Sequence, residues 1–535
     1  YVQADGLQTI GYDHGDYNVV TNYVKGNNSY TVFAGANYSH VDGTETWNNE
    51  NYQFTQSLFD RESYSKNSYR NHQEYMQFRY QNQKGKRYWV GKFTLVNLST
   101  PRNASSGFAK ESTETDVFSN IRKKSLSPKI DLNANLPLSK NQTLTLGVHG
   151  KYSANSYHRL YQEQPFETMT DEDEKALSFQ LSAIYNYFSQ KHSLSVELFH
   201  YHDVWNADYS GNCELWQHLW KGESLAFFSY NFQASRRLSL KTRIGLDWLQ
   251  YHLHGDNSFS QLSPRINTNV QYQLNKGMLL WSFNFVNSNH GMDVINRAMI
   301  QVNSHMMEKG MPELKKSHDI NTYLYYMGRF NRLSVSAIGQ FRYNHHPVTD
   351  DYYLDEANGK IVKTYSNGGN AQYYSAILAL QYKLCKFANL SGDIRYNHAE
   401  VKTTWSKHNN NLTGNLGLNM FMGDFALKPY LHFGKKSLDE AALVISKTPI
   451  DYGMSCSYSR GNLYVELQAA SPFKKQEKQY WLDLPIYSYS KSIKDQTASQ
   501  YASIKVAYSF DFGRKTQKVE KDVNKNINSS LLRVE

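Results

Sequence analysis

Cysteine is nearly missing from this 535-residue chain: there are 3, Cys213, Cys385 and Cys456, far apart and without a C-x-x-C spacing. That argues against a disulfide framework or a zinc site and leaves them as small packing residues. Proline is scarce at 11. No window approaches the run of about 18 apolar residues that a membrane-spanning helix needs, and mean hydropathy is negative, so a helical membrane protein is excluded. A strong charge of one sign is lacking too. The balance of 58 basic to 48 acidic residues gives +10, but the excess is spread over long polar segments, with one basic run near the C-terminus. No Arg/Lys-rich helix, RNA-binding signature or zinc-finger spacing accompanies it, so nucleic acid is not an expected partner. There is no signal peptide at Tyr1, which reads as a start downstream of processing. G-x-S-x-G, H-E-x-x-H, P-loop and G-x-G-x-x-G motifs are all missing. No enzyme, catalytic residue or cofactor is expected.

What the chain does have is aromatic residues, 42 Tyr, 26 Phe and 9 Trp, or 14% of the sequence, which excludes intrinsic disorder. It also has a period of two. Ile266, Thr268, Val270, Tyr272 and Leu274 alternate with Asn267, Asn269, Gln271 and Gln273. Leu177, Phe179, Leu181, Ala183, Tyr185 and Tyr187 share one face. Leu238, Leu240, Thr242, Ile244, Leu246 and Trp248 stand opposite Ser239, Lys241, Arg243, Gly245 and Asp247. Ile504, Val506, Tyr508, Phe510 and Phe512 stand opposite Lys505, Ala507, Ser509 and Asp511. Alternation of this kind marks strands. Charged residues on the second face do not fit a sandwich core, but they fit a strand with one face in lipid and the other in a wet lumen.

The connections agree. Short turns fall at Lys25–Asn28, Gln83–Lys86, Leu138–Gln142, Ser189–Lys191, Ser235–Arg237, Asn275–Lys276, Phe330–Asn331, Cys385–Phe387, Gly423 and Ser459–Gly461. Between them lie longer segments at His40–His72, Thr100–Leu126, Tyr157–Lys175, Asn206–Lys221, Gly291–Lys316, Pro347–Gly369 and Pro472–Thr497, with tighter ones at Asp13–Asp16, Gly255–Gln261, Trp405–His408 and Leu438–Lys447. Short turns on one side and long loops on the other are the signature of an outer-membrane barrel. The expectation is an all-β, transmembrane antiparallel β-barrel of about 22 strands, each about 8 to 16 residues long, with long extracellular loops and short periplasmic turns. It spans residues 1–513, and 514–535 form a periplasmic, solvated tail. Tyr30, Tyr38, Trp89, Tyr152, Tyr187, Trp248, Tyr343 and Tyr430 are expected in the interfacial girdles.

The C-terminal part resembles a known family. The hairpin Tyr458–Leu467 (YSRGNLYVEL), Ser471–Lys475 (SPFKK), the Tyr-rich Tyr487–Ser490 (YSYS) and the closing Val506–Lys515 (VAYSFDFGRK) are similar to the terminal hairpin, loop and last strand of TonB-dependent outer-membrane receptors, specifically the Bacteroidota group. Gly310–Lys316 (GMPELKK) resembles a degraded form of that family's "NPxLKPE" segment. The resemblance implies a receptor barrel in the bacterial outer membrane, with lipid around it, TonB acting through a plug domain, and in this group a surface lipoprotein as a lid. The family's plug precedes the first barrel strand, whereas here Tyr1 already begins that strand. The plug is then removed upstream sequence, a separate chain, or absent, the first being preferred. A plugless or sealed barrel acting as a scaffold for surface lipoproteins or an export complex is the alternative. Without a plug the lumen should leak, unless His40–His72 and Gly291–Lys316 seal it. Phe512, closing the last strand, is expected to be part of the assembly signal, as in related barrels.

Site candidates are few. Asp171–Glu174 reads as a solvated acidic loop in preference to a Ca²⁺ site, because its spacing is not that of an EF-hand. Met292, Met299, His305, Met306, Met307 and Met311 could ligate copper(I), but Met also fills irregular packing, which is preferred. His345-His346 and His252-x-His254 read as interfacial residues in preference to ligands, so no metal is expected. Trp205, Tyr209, Trp216 and Trp220 in one external segment, and Tyr480, Trp481, Tyr487 and Tyr489 in another, are aromatics that either meet a ligand or partner or pack within loops.

Overall fold

The computed structural model describes residues 1–535 except 56, 257, 289–290, 292, 496–499, 511–522, 528, 530 and 532–535. All regular structure among them is β. The alternating segments form a closed wall of 22 antiparallel strands. Its first strand, Val2–Ile10, pairs with its last, Tyr501–Phe510, from Val2↔Phe510 to Ile10↔Ala502. Closure leaves no open edge among these strands, so the backbone polar groups are met inside the wall, as lipid requires.

The period of two sorts the side chains. Ile244, Leu246 and Trp248 are exposed on the outer face, while the alternate residues Asp247 and Leu249 are buried inside. Leu181, Val506 and Tyr508 are exposed outward. Leu240 and Val270 face each other across Leu238–Leu253 and Ser258–Leu274 on the outer side, with Arg243, Asn269 and Gln271 on the inner. Lys505 pairs with Glu466 on the inner side. Trp89, Tyr30, Tyr152 and Trp248 are exposed where girdles are expected. Tyr430 departs from that expectation: its neighbour pair Leu416↔Leu431 faces lipid, so Tyr430, opposite Gly417, faces the lumen. The apolar outer band is that of a membrane-spanning β-barrel.

All the expected short turns occur. Gly26 and Gly85 have φ of 61° and 60°, the left-handed backbone of a two-residue hairpin, and Asn331 supplies the same at 53°. The long loops, in contrast, are mostly wall. Strands reach 27 residues at Leu58–Lys84, far beyond the expected length. Asn28–Gln53 and Leu58–Lys84 reduce His40–His72 to residues 54–57, and Thr100–Leu126 shrinks to 111–113 between Arg87–Lys110 and Glu114–Ser139. Asp171–Glu174 therefore lies in the strand Phe166–Phe188, not in a solvated loop, and turns Glu172 and Glu174 inward, where Asn155 Nδ2 donates to Glu174 Oε1 at 2.5 Å. Above the membrane both faces of a strand are wet, so no apolar contrast marks it in the sequence.

Near the top the wall changes course. The shorter strands Lys435–Asp439, Val444–Thr448, Gln476–Asp483 and Tyr487–Asp495 pair in turn, and the last pairs with the upper half of Asn28–Gln53, from Tyr487↔Tyr52 to Lys494↔Glu45. This second seam passes over the first hairpin, whose tip is Gly11–Tyr12. Two loops do not join the wall. Met299–Gln301 and Met306–Lys309 from one, with Thr349–Asp355 and Lys360–Ser366 from the other, form a separate 4-stranded sheet. It is held together by the parallel pairing Met306↔Ile361 to Glu308↔Lys363.

Candidate ligand site beneath the extracellular cap

The separate sheet is a cap seated inside the mouth. Its apolar residues Ile295, Ala298, Ile300 and Leu314 are buried. They meet wall side chains that turn inward from polar strands: Trp205, Leu219, Leu249 and Tyr251 around Ile295, and Ile121, Tyr157 and Tyr209 around Ala298 and Ile300. Hydrogen bonds fix its height. The buried Arg159 donates through Nη1 to Gln301 O at 3.0 Å and through Nη2 to Val302 O at 2.6 Å. Tyr251 OH donates to Pro312 O and Leu314 O, both at 3.2 Å. At the root of the first arm, Lys316 Nζ stands 2.8 Å from Asp247 Oδ2, with both side chains fully buried. Arg265 Nε donates to the same oxygen at 2.9 Å.

Between cap and wall is a cavity of about 720 Å³, within the range of small-molecule sites. On its wall side, Glu50 Oε1 accepts from Tyr487 OH at 2.7 Å and from Tyr52 OH at 2.9 Å, while Oε2 accepts from Arg61 Nη1 at 2.6 Å. Arg61 reaches on to Glu163 Oε1 through Nη2 at 3.0 Å. On its cap side, Glu308 Oε1 accepts from Lys363 Nζ and from Tyr365 OH, both at 3.1 Å, and Lys363 Nζ lies 3.5 Å from Asp350 Oδ2. Burial raises the Asp350 carboxyl to about 6, with Glu308 adding to the rise and Lys363 opposing it. Burial disfavours the Lys363 ammonium, but Glu308 and Asp350 outweigh it and raise its pKa. Burial and Asp350 together raise Tyr352 well above the usual phenol range. Tyr489 and Lys491 also line it. The site thus offers tyrosine rings for stacking and carboxylates whose remaining lone pairs can accept hydrogen bonds.

The sequence candidates divide by strand parity. Trp205 and Tyr209 turn inward and pack on the cap; Asn296 Nδ2 donates to Tyr209 OH at 3.2 Å. Trp216 turns outward and is exposed, and Trp220 on the same face donates through Nε1 to His202 Nε2 at 3.2 Å. Tyr480 and Trp481 belong to the rim strand Gln476–Asp483. Tyr487 lines the cavity. Met306 is buried with Tyr52 and Ile361, as packing requires, and no group of three or more His, Cys, Asp or Glu among the described residues is arranged to hold a metal. Met292 and Phe512 lie outside the described residues. The sequence reading missed Glu50, Glu308, Asp350, Tyr352, Lys363 and Tyr365. One signal was available: Asn358-Gly359, with Gly359 at φ 59°, between two short alternating runs is a hairpin signature, and it marks the cap's second arm.

Among the tail's described residues, Asn524, Lys525, Asn526 and Leu531 lie beside inward-facing side chains. Lys129 Nζ donates to Asn524 O at 2.8 Å and to Asn526 O at 2.7 Å, and Leu531 is buried among Ile121, Tyr157, Tyr209, Ala298 and Ile300. The polar inner wall supplies donors that an unpaired backbone needs.

No family model matches the chain, and no curated protein does. Solved structures do. The copper transporter OprC superposes with a TM-score of 0.68 at 10% identity, over 95% of this chain and 80% of its own. The ferric citrate transporter FecA, in its unliganded form, gives 0.64 at 8% identity, over 95% and 78%. The siderophore receptor PiuA from Acinetobacter baumannii gives 0.62 at 9% identity, over 95% and 81%. At these identities the likeness is one of fold.

Proposed function

We propose that the chain is the barrel of a TonB-dependent outer-membrane receptor, importing a polar organic molecule rich in hydroxyl or amine donors that is captured at the capped mouth. The observation that carries this reading is the cavity itself, with its tyrosines and partly neutralised carboxylates, in a barrel whose fold is shared with transporters and receptors. Tyr487 and Tyr489 supply ring faces, and Glu50, Glu308 and Asp350 accept from the ligand. Trp216 and Trp481 serve as outer contacts for a surface partner such as a lipoprotein lid. TonB acts through a plug upstream of Tyr1. The Bacteroidota assignment rests on the terminal motifs from Tyr458 onward. The scaffold alternative draws no support from the matched structures.

The test starts without a known ligand. Purified chain is incubated with conditioned growth medium and washed, and the retained small molecules are identified by mass spectrometry. The chain should retain a compound that the double variant Asp350→Ala, Tyr487→Ala does not, and uptake of that compound by cells should stop when TonB is deleted. Equal retention by both proteins rejects the cavity, and uptake without TonB rejects the mechanism.

A further inference from the structure

On the outside of the wall, away from cap and cavity, one face carries cations without counter-charges. Arg70 and Arg102 stand directly opposite each other on Leu58–Lys84 and Arg87–Lys110. The next pairing steps between Thr100 and Asn103, which brings Arg102 beside Arg122 on Glu114–Ser139. Ile121 and Ser125 are buried on the inner side, so Arg122 and Lys124 turn outward, and all four cations are exposed. None of the four has a carboxylate within ion-pairing distance among the described residues, whereas Asp13 and Asp171 on the same face are held by His40 and His158. Like charges set opposite one another across two strands are unfavourable. A counter-charge from outside the chain would relieve them.

The surroundings describe the molecule that carries it. From the rim downward, the outer face of Glu114–Ser139 reads Phe118, Arg122, Lys124, Leu126, Ile130 and Leu132. The last three are exposed members of the apolar band, so the cations stand directly above hydrocarbon. The three strands cover about 10 Å, the length of two linked sugar rings. Higher on this face, Trp47, Tyr64 and Phe108 pair across neighbouring strands, with ring centres 4.3 and 5.9 Å apart, and Trp47 is exposed. Such rings offer a stacking platform to sugars. Apolar, cationic and aromatic tiers thus follow one another outward, in the order of acyl chain, phosphate and sugar. A free phosphate would use the middle tier alone.

We propose that this face docks a phosphorylated glycolipid of the outer leaflet: Arg70, Arg102, Arg122 and Lys124 hold its phosphates, Leu126 and Ile130 meet its acyl chains, and Trp47 and Tyr64 meet its sugars. This rests on the outer-membrane reading of the barrel and not on what the cavity binds, so Asp350→Ala, Tyr487→Ala should bind the glycolipid as the parent does.

The full chain in detergent, its folding checked by the heat-dependent gel mobility of intact barrels, is titrated with fluorescent short-core lipopolysaccharide, with lipid A, and with lipid A stripped of phosphate. Each cation facing an anionic lipid strengthens binding about fivefold, so Arg70→Gln, Arg102→Gln, Arg122→Gln together should weaken lipid A binding about a hundredfold. A control of equal charge in the short turns, Lys25→Gln, Lys84→Gln, Lys86→Gln, should bind as the parent does. Trp47→Ala, Tyr64→Ala should weaken lipopolysaccharide binding about fivefold and leave lipid A unchanged. The proposal is overturned if phosphate-stripped lipid A binds the parent as tightly as lipid A, or if the turn control loses as much as the arginine variant. It is overturned equally if pyrophosphate at equal concentration displaces lipid A, which would make this a phosphate site and not a lipid one.

Discussion

The buried charges at the root of the cap make an asymmetric prediction. Asp247 carries two cations on one oxygen: Lys316 Nζ at 2.8 Å and Arg265 Nε at 2.9 Å. Its other oxygen, Oδ1, has no hydrogen-bond partner among the described residues, so all compensation comes through Oδ2. Asp247→Asn leaves the buried Lys316 ammonium and the partly buried Arg265 guanidinium facing each other, with Glu223 3.3 Å from Arg265. Breaking a buried ion pair from one side costs about 3–5 kcal/mol. Because Lys316 is the cap's anchor, that cost falls on seating the cap, and it raises the unseated fraction by about 10² to 10⁴. Lys316→Met is different. Asp247 keeps Arg265, and the lost charged interaction is partly offset by the desolvation no longer incurred, leaving about 1–2 kcal/mol. The double variant should then lie close to Lys316→Met, well short of the sum, with a coupling of about 3–5 kcal/mol. Hydrogen exchange of the peptide covering Met299–Lys316, read by mass spectrometry in detergent, measures the seating equilibrium, while the strand Leu238–Leu253 serves as an internal reference for the barrel. Equal acceleration by the two single variants would refute this reasoning, since it rests on Asp247 serving two cations.

Further outcomes follow from other features. The Asp350 carboxyl is raised to about 6, so its folded form holds the proton more tightly than an ordinary carboxyl; its contribution to the cap is fully present below about 4 and is lost as pH rises through 6. Exchange in Thr349–Ser366, corrected for intrinsic rates, should be slower at pH 5 than at pH 7, and Asp350→Asn should abolish the difference. Val506→Arg, on the lipid face, should cost about 2–4 kcal/mol near the midplane in denaturant titrations from vesicles, whereas Lys505→Gln on the lumen side should cost far less. Arg159→Ala removes the two bonds to Gln301 and Val302 carbonyls and should loosen the cap by about 2–4 kcal/mol, read by the same exchange peptide, without altering barrel stability.

The lower half of the barrel was legible in the sequence because lipid demands one apolar face, and Leu177–Tyr187 or Ile504–Phe510 carry that contrast residue by residue. The turns were legible because Gly26, Gly85 and Asn331 are residues that tolerate the backbone those turns require. The upper wall was not. Arg61–Asn71 (RESYSKNSYRN) is polar on both faces, and its strand character comes from pairing with Ser39–Glu50, which is equally polar. The cavity was hidden for another reason: Glu50, Glu308 and Asp350 meet only because two loops and a wall strand, separated by long stretches of chain, converge. Parity is what separated the aromatic candidates: Tyr209 stands opposite Leu215, so Trp216, one residue on in the same hairpin, points to the other side of the wall.

The second seam bears on how the barrel closes. Sliding the last strand by two residues against the first would keep every side chain on its proper face, so the lipid–lumen pattern alone cannot reject it. Yet Tyr487–Asp495 is joined to Tyr501–Phe510 by only a few residues, and it is itself registered on Glu45–Tyr52. A slip at the lower seam would have to be matched at the upper one, where Tyr487 must still deliver its hydroxyl to Glu50. The chain therefore checks its own alignment twice, at two heights, and a misaligned barrel would declare itself outside the membrane, as a rim that fails to zip.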